Sequence, residues 1–337
     1  MEKCIELAKK AEGLTSPNPL VGCVITDEFD NVIATGYHHK YGENHAERDA
    51  LLKINKGEGD TLYVNLEPCS HFGKTPPCTD IIIEKGIKHV VIGMLDPNPA
   101  VSGIKKLKEA GIDVTTGVLE DECKKLNEVF IKNMTQKKTF VAIKTAATLD
   151  GKTATSTGSS KWITSEKARA EVKIIRNRYD AIMTSSSTII ADNPQMFHRK
   201  KIILDRELKT NPESQIYKQG EIYLFNEKKD GQSGNINFIK TPVKDGKISL
   251  EFVFEKLYKL GIMSVLVESG GKLSGRTLKY ADKIYHFIAP KITGDNSSKS
   301  CFDFQKITDI SQCLNFRIDG IQTFNPDVLL TYYPIGK

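Results

Sequence analysis

Three side chains of the kinds that bind zinc follow one another early in the chain. They are His45 in a His-Ala-Glu run, Cys69 after one proline, and Cys78 after two prolines. Imidazole and thiolate are good Zn²⁺ ligands, and a site with three protein ligands keeps a fourth position open for water. The order of these residues therefore predicts a catalytic zinc site.

Glu47 lies two residues after His45, where its carboxylate could move protons beside the metal. Next to an activated water it could accept a proton and pass it to a ring nitrogen and then to a departing amine. His-x-Glu followed by Pro-Cys and a second cysteine is the signature of zinc deaminases. These residues predict hydrolytic deamination with Glu47 as the catalytic group.

The loop between the two cysteines is unusually long. Eight residues, "SHFGKTPP", separate them, whereas the common signature has two. The prolines restrict this loop and Gly73 permits a sharp bend, so we expect its ends to bind the metal and its middle to reach the substrate. Two alternatives stay open at this point: a structural zinc site completed by His71, and two thiols that bind no metal.

The hydrophobic pattern predicts the elements that position these residues. "HAERDALLKI" has the spacing of a helix with His45 in its first turn, and Cys78 begins a second helix, "CTDIIIEKG". The free N–H groups at a helix start favour a thiolate over a thiol. Apolar runs alternate with helical patterns in this half, which predicts one sheet between helices. The predicted elements are strands at 20–26, 31–37, 61–66, 89–94 and 113–117 and a long helix over 119–136.

A second α/β series starts at Phe140, after the polar stop "QKK". It includes predicted helices over 165–179 and 250–261, and a strand over 264–268 that is followed by two glycines and a helical pattern. Because 337 residues exceed what one hydrophobic core usually serves, the sequence predicts two domains, 1–138 and 139–337.

The composition is that of a soluble globular protein. Hydrophobic residues make up 39% and charged residues 27%. The first helix lacks the apolar core of a signal peptide, no run is long enough to span a bilayer, and the seven cysteines are scattered, so we expect a cytoplasmic protein. The net charge of +6 leaves a nucleic-acid-editing deaminase as a rival, although an anionic small substrate explains this charge equally well.

Eight motifs together closely resemble the bifunctional riboflavin-biosynthesis deaminase/reductase family. In the first half they are "TSPNPLVGCVI", "GYHHKYGENHAE", "LEPCSHFGKTPPC" and "MLDPNPAVSG", and in the second "TAATLDGKTAT", "SSKWITSEKAR", "ADNPQ" and "LVESGGKLSG". The eight-residue cysteine spacing is specific to that family. The resemblance implies an N-terminal cytidine-deaminase-like three-layer α/β sandwich followed by a dihydrofolate-reductase-like α/β domain.

The resemblance also implies two consecutive reactions. The first is the zinc-dependent hydrolytic deamination of 2,5-diamino-6-ribosylamino-4(3H)-pyrimidinone 5′-phosphate. The second is the NADPH-dependent reduction of the ribosyl side chain, which gives 5-amino-6-ribitylaminouracil 5′-phosphate. Zn²⁺ and NADPH are the implied cofactors, and the family precedent favours a homo-oligomer, a dimer or a tetramer.

Carried across position by position, the resemblance implies a set of site residues. His45, Cys69 and Cys78 match the zinc ligands and Glu47 the proton shuttle, while the deaminase pocket would include Asn18, His38 and Lys74. Substrate binding in the reductase would involve Ser160, Arg176, Met196, Arg199 and Glu268. The NADPH contacts would be Ala146, Trp162, Thr188 and Asp192, with Gly270, Gly271, Lys272, Leu273, Ser274, Gly275 and Arg276.

Several of these residues have a structural alternative. Asn18 suits a turn between its two prolines, His38 could be a polar strand end, and Lys74 a solvated loop charge. Arg176 belongs to a basic stripe on its helix of a kind that is often only solvated, although its planar guanidinium suits a phosphate. The Gly270–Gly271 pair alone is a weak signal for a phosphate at a helix start.

Three departures from the family pattern lie in this sequence. Serines in "MTSSSTII" replace glycines, the segment after "DPNP" is short, and Arg199 runs directly into "KKIILD". These departures lie mostly in the reductase half, so a family member whose reductase half has decayed stays open. A non-catalytic zinc module is a separate alternative, which predicts a fourth protein ligand and no dependence on Glu47.

Overall fold

A computed structural model of the chain describes residues 1–72, 76–303 and 305–336. The chain forms two compact units, Met1–Lys137 and Lys138–Lys337. Among the described residues, no helix combines the length and the apolar character needed to cross a membrane. The seven cysteines all lie in the described ranges, and none forms a disulfide.

The first unit contains one five-stranded sheet with the strand order β2-β1-β3-β4-β5. The first three strands in this order pair antiparallel and the last three pair parallel. The strands are β1 Gly22–Thr26, β2 Val32–Tyr37, β3 Thr61–Leu66, β4 His89–Met94 and β5 Asp113–Thr116. The helices are α1 Glu2–Lys9, α2 Ala46–Leu51, α3 Cys78–Lys85, α4 Gly103–Glu109, α5 Glu120–Leu126 and α6 Glu128–Gln136.

Alternating side chains of β1 pack against helices on both faces of this sheet. Val24 packs with Leu7 of α1 on one face. Cys23 and Ile25 belong to the larger core, which includes Ile82 of α3 and the buried alanines of α2. Because successive strand residues point to opposite faces, this pattern places the sheet between two helical layers. The start of α2, the start of α3 and the turn after β3 carry the predicted metal ligands.

The expected long helix over 119–136 is two helices, α5 and α6, which meet at Asn127. The Asn127 side chain is buried and binds the main chain of Leu20 twice: Oδ1 accepts from the N–H at 2.8 Å, and Nδ2 donates to the carbonyl at 3.0 Å. Its backbone has left helical geometry, with φ −106° and ψ 21°. The tertiary pairing with Leu20 thus interrupts a pattern that looks continuous in the sequence.

The second unit contains a ten-stranded sheet with the order β11-β12-β10-β9-β8-β15-β6-β16-β19-β18. The seven strands from β12 to β16 in this order run parallel. The sheet strands are β6 Phe140–Thr148, β8 Ala181–Ser185, β9 Lys200–Leu204, β10 Glu221–Asn226, β11 Gly231–Ser233, β12 Ile236–Lys240, β15 Ser264–Val267, β16 Lys283–Ala289, β18 Phe316–Thr323 and β19 Val328–Pro334.

Two small pairs of strands accompany the main sheet, β7 with β17 and β13 with β14. Their bounds are β7 Lys152–Ala154, β13 Val243–Lys244, β14 Lys247–Ile248 and β17 Lys299–Ser300. The helices are α7 Glu166–Asn177, α8 Ser186–Asp192, α9 Leu250–Lys259 and α10 Gly271–Thr277. Single 3₁₀ turns occur at Gln215–Tyr217, Leu278–Tyr280 and Ile310–Gln312.

The core of the second unit combines the middle of the sheet with α9 and α10. Val265 and Val267 of β15 lie in one cluster with Val253 and Leu257 of α9 and with Leu273 of α10. All of these side chains are buried, so α10, which follows β15 in the chain, packs against the same core as this strand. The loops that follow the carboxyl ends of the parallel strands therefore meet at one edge of the sheet.

Candidate active sites of the two units

Each predicted metal ligand of the first unit lies at the end of an element. His45 is the N-cap residue of α2, with φ −69° and ψ 161°, and Cys78 is the first residue of α3. Cys69 follows β3 by three positions, after Pro68. Two helix starts and the turn after the carboxyl end of β3 thus hold the three side chains.

The three ligand atoms converge on one point. The His45 Nδ1 atom lies 3.5 Å from the Cys69 sulfur and 3.4 Å from the Cys78 sulfur, and all three atoms lie within 4.8 Å of one another. Nitrogen and sulfur ligands of a tetrahedral Zn²⁺ lie about 3.6 Å apart, so the donor set fits this ion. Over the described ranges, no fourth His, Cys, Asp or Glu joins this group; His71 is exposed.

The two sulfurs differ in their surroundings. The thiol and the backbone N–H of Cys78 donate to Cys69, which lowers the pKa of Cys69 to about 4 although burial opposes the shift. The same sulfur–sulfur hydrogen bond, together with burial, raises the pKa of Cys78. Cys69 is therefore the thiol that ionises first, and metal binding needs both in the thiolate form.

Glu47 lies in the first turn of α2 and is only 3% exposed. Burial raises its pKa to about 6, the Cys69 charge adds to this effect and His45 opposes it. It also shares a hydrogen bond with Cys78. A carboxyl group with a raised pKa that touches the ligand cluster has the properties of a proton carrier.

Asn18 and His38, the two described residues predicted to line the deaminase pocket, are in direct contact. His38 is 2% exposed, its Nδ1 bonds to the carbonyl of Asn44 at 2.9 Å, and its Nε2 lies 3.1 Å from the Asn18 side-chain nitrogen. The His38 and His45 rings have their centroids 5.6 Å apart. Burial lowers the pKa of His38, which favours the neutral ring. Lys74 lies outside the described residues.

Two acidic residues beside the ligands were not singled out from the sequence. Glu67 bonds to the backbone of the "DPNP" segment, and the half-buried Asp96 of that segment is close enough to Cys69 and His71 for their charges to act on it. Burial raises the pKa of Asp96. Both residues belong to the motifs quoted above, but only the fold shows that the motifs adjoin.

The second unit brings Arg176 of α7 and Glu268, just after β15, into a bidentate ion pair. Arg176 Nε donates to Glu268 Oε1 at 2.6 Å, and a terminal nitrogen donates to Oε2 at 2.9 Å. Lys144 of β6 lies 3.7 Å from the same Oε2. Lys144 was not among the predicted site residues, although the available signal was that it is the one charged residue in the run "FVAIKTAATL".

Burial and neighbouring charges oppose each other in this cluster. Burial alone would raise the pKa of Glu268, but Lys144 and Arg176 outweigh it and lower that pKa. Burial lowers the pKa of Lys144, and Glu268 counteracts the shift. The result is two cations around one carboxylate, and such a net positive site suits an anionic substrate.

Six other residues predicted for the reductase lie on loops and on α8. Ser160 and Trp162 precede α7, and the Trp162 ring, 62% exposed, lies 4.4 Å from the Arg169 guanidinium. Met196 and Arg199 lie between α8 and β9, and Arg199 is exposed. Thr188 and Asp192 belong to α8, which follows the carboxyl end of β8.

The Gly-Gly pair has two different roles in packing. A side chain on Gly271 would place its Cβ 2.1 Å from the Ser300 carbonyl oxygen, so this glycine permits a close internal contact. A Cβ on Gly270, the N-cap of α10, would meet nothing within 4 Å. The Cα of Gly270 therefore faces open space.

The remaining residues of the predicted cofactor-binding run 270–276 differ in their exposure to solvent. Leu273, Ser274 and Gly275 are buried, and Lys272 is exposed. Arg276 donates to the Ile248 carbonyl at 2.6 Å. Ala146 lies on β6 two positions after Lys144, and thus on the same face of the sheet.

Comparison with known protein families covers both units. Residues 139–330 match the model of the RibD C-terminal domain. Residues 1–94 match the model of the cytidine and deoxycytidylate deaminase zinc-binding region. These matches confirm the expected fold pair.

Full-length relatives give the same result. The chain is 36% identical to the riboflavin biosynthesis protein RibD of Actinobacillus pleuropneumoniae, over 100% of this chain and 95% of that protein. It is 39% identical to RibD of Aquifex aeolicus, over 98% and 97%. A crystal structure of the deaminase/reductase of Thermotoga maritima superposes with a TM-score of 0.90 at 38% identity, over 99% of this chain and 97% of that one.

RibD of Acinetobacter baumannii superposes with a TM-score of 0.88 at 33% identity, over 99% and 97% of the two chains. Identity above 30% over almost the whole length of both partners establishes the family. The chain belongs to the RibD family of bifunctional enzymes of riboflavin biosynthesis, which combine a zinc-dependent deaminase with an NADPH-dependent reductase.

Proposed function

We propose that residues 1–138 deaminate 2,5-diamino-6-ribosylamino-4(3H)-pyrimidinone 5′-phosphate and that residues 139–337 then reduce its ribosyl side chain with NADPH. The observation that carries the first assignment is the convergence of one imidazole and two thiol groups beside a buried carboxyl group. The observation that carries the second is the cationic cluster around Glu268 at the centre of the other sheet.

In the deaminase, His45, Cys69 and Cys78 would hold Zn²⁺, which supplies Lewis-acid activation of water when it is bound. Glu47 takes the proton of the attacking water and delivers it first to a ring nitrogen and then to the leaving amine. Its burial supports this role, because a carboxyl group with a pKa near 6 can both accept and release a proton near neutral pH.

Asn18 and His38 orient the pyrimidine. His38 donates from Nδ1 to the Asn44 carbonyl, so its Nε2 accepts from the Asn18 amide nitrogen. This arrangement turns the Asn18 carbonyl oxygen away from His38, where it can accept from an amino group of the substrate. Lys74, on the family resemblance alone, completes the pocket.

In the reductase, Arg176 binds the substrate together with Arg199, Ser160, Met196 and Glu268. We add Lys144 to this set, because it shares the Glu268 carboxylate with Arg176. A planar guanidinium meets phosphate or carbonyl oxygens with two parallel N–H groups.

NADPH supplies the hydride when it is bound. The chain must hold the nicotinamide against the sugar C1′ and exclude water there. The positions proposed to contact the cofactor are Ala146, Trp162, Thr188, Asp192, Gly270, Gly271, Lys272, Leu273, Ser274, Gly275 and Arg276. Ala146 lies beside Lys144 on one face of β6, which supports a cofactor next to the substrate.

A cytoplasmic location and a homo-oligomeric state complete the proposal. The absence of disulfides among seven cysteines agrees with a reducing compartment. The oligomeric state rests on the family precedent, and light scattering of the purified chain measures it.

One experiment tests both assignments. The purified protein is incubated with the diaminopyrimidinone phosphate, with and without NADPH, and both ammonia and NADPH absorbance are followed. We expect ammonia in both samples, and NADPH oxidation that depends on the substrate. Ammonia without NADPH oxidation would indicate a decayed reductase, and no ammonia would contradict the deaminase assignment.

A further inference from the structure

Glu67 lies two residues before Cys69, at the start of the stretch 67–78 that contains both metal-binding thiols, and it has no role in the chemistry described above. Its Oε1 accepts from the backbone N–H of Ile104 at 3.1 Å, and its Oε2 accepts from the N–H of Asp96 at 3.3 Å. Both oxygens of one carboxylate are thus used to hold the two ends of a single segment, residues 96–104. Glu67 is two positions from Cys69, so this segment is fastened to the turn that carries a metal ligand.

Two further contacts hold the same segment to the same turn. The Ser70 hydroxyl accepts from the Ser102 N–H at 2.9 Å. A side chain on Gly103 would place its Cβ 2.0 Å from the Pro68 carbonyl oxygen, so only glycine permits this approach. The contacts involve Glu67, Pro68 and Ser70, the residues that surround Cys69 in the sequence.

The segment is also bonded internally. The Asp96 carboxylate accepts from the Asn98 N–H at 2.8 Å, and the Asn98 side chain accepts from the Ala100 N–H at 3.1 Å. These side-chain hydrogen bonds form turns that stabilise the conformation of the segment. Asp96 itself lies within the electrostatic reach of Cys69 and His71.

We propose that Glu67 is a positioning residue for deamination: it holds residues 96–104 against the metal-binding turn so that Asp96 forms one wall of the pyrimidine pocket. The inference rests on the proposed deaminase function. A carboxylate is required because two N–H groups need acceptors at once. Glutamine has one acceptor oxygen, and its NH₂ group would face the second N–H.

The test compares Glu67→Gln with Glu109→Gln in the full-length chain. Glu109 ends α4, the helix that begins at the end of the segment, and its side chain is 65% exposed, so the control makes the same chemical change at a surface position outside the segment. We expect Glu67→Gln to lower kcat/KM for ammonia release by about 10- to 100-fold, chiefly through KM, because the pocket wall is displaced. Zinc content should stay at the wild-type level, as should NADPH oxidation measured with the already deaminated substrate.

A second variant covers the case in which Glu67→Gln does not fold. Ser70→Ala removes one contact of the segment and should raise KM about 3- to 10-fold with zinc retained. Wild-type KM in both variants would overturn the proposal. Loss of zinc, or a fall in kcat at constant KM, would also overturn it, because Glu67 would then support the metal or its chemistry. Failure of the deaminase assignment is distinguished by the wild-type chain, which would release no ammonia.

Discussion

Replacement of Arg176 by alanine should affect the two activities very differently. The substitution removes both charge-assisted hydrogen bonds to Glu268, at 2.6 and 2.9 Å, and leaves a carboxylate that is 6% exposed. Breaking a buried ion pair from one side costs about 3–5 kcal/mol. Here Lys144 still lies 3.7 Å from Oε2 and the Arg176 side chain is 22% exposed, so we expect about 2–3 kcal/mol.

That loss is measurable as a shift in thermal unfolding. For a domain of about 200 residues, 1 kcal/mol corresponds to about 2–4 °C, so the transition of the second unit should move down by about 5–10 °C. Calorimetry of the full-length chain measures it. A matched control is Lys173→Ala, an exposed cation on the same helix, for which we expect less than about 0.5 kcal/mol.

The kinetic consequence should be confined to reduction. With the deaminated substrate, kcat/KM for NADPH oxidation should fall about 100-fold, because the substrate loses the guanidinium that orients it. Ammonia release from the diaminopyrimidinone should stay within about twofold of wild type. Equal loss of both activities, or a reductase unaffected by the substitution, would refute the placement of Arg176 in the substrate site.

Three further predictions concern Glu47, Cys78 and His286. Glu47→Gln should abolish ammonia release while zinc is retained, since the side chain carries protons and supplies no ligand to the cluster; assays of metal content and ammonia check this, and substantial residual deamination would contradict it. Cys78→Ser should lose zinc and ammonia release together but oxidise NADPH normally with the deaminated substrate, and unchanged zinc would disprove its role as a ligand. His286, bonded at 2.6 Å to Thr145, has its pKa lowered to about 4 by burial, so it is neutral when folded and protonates more readily when unfolded. The stabilising contribution of the neutral ring is present above pH 6.5 and is lost as the pH falls towards 4. In urea unfolding, the free energy of unfolding of His286→Gln should therefore fall by about 2–3 kcal/mol less over this pH range than that of wild type. Equal decreases in the two proteins would argue against a buried neutral ring.

The metal ligands could be predicted from the sequence because their chemistry is local. His45, Cys69 and Cys78 are of the few residue types that bind zinc, and each stands at a recognisable start or end of an apolar run. Strands β3 and β4 were predicted with the bounds that the structure has, since their apolar runs are sharply delimited. The residue roles themselves stay predictions.

Tertiary contacts explain what the sequence did not reveal. The break between α5 and α6 at Asn127 depends on a contact with Leu20, more than a hundred residues away in the chain. Lys144 comes close to Glu268 only because β6 pairs with β15. Helix α8 was not predicted, because "SSTIIAD" combines serines and β-branched residues that are poor helix formers. Strand β18 at the sheet edge lacks the two buried faces that mark the central strands.

The central claim is that the metal has three protein ligands and an open fourth position. Zinc-edge X-ray absorption of the full-length protein tests it most directly, with wild type and His71→Ala measured side by side. We expect one zinc per chain, with two sulfur neighbours at about 2.3 Å and two nitrogen or oxygen neighbours at about 2.0–2.2 Å, identical in both proteins. A third sulfur, or a light-atom ligand lost in His71→Ala, would show a closed site and contradict the account.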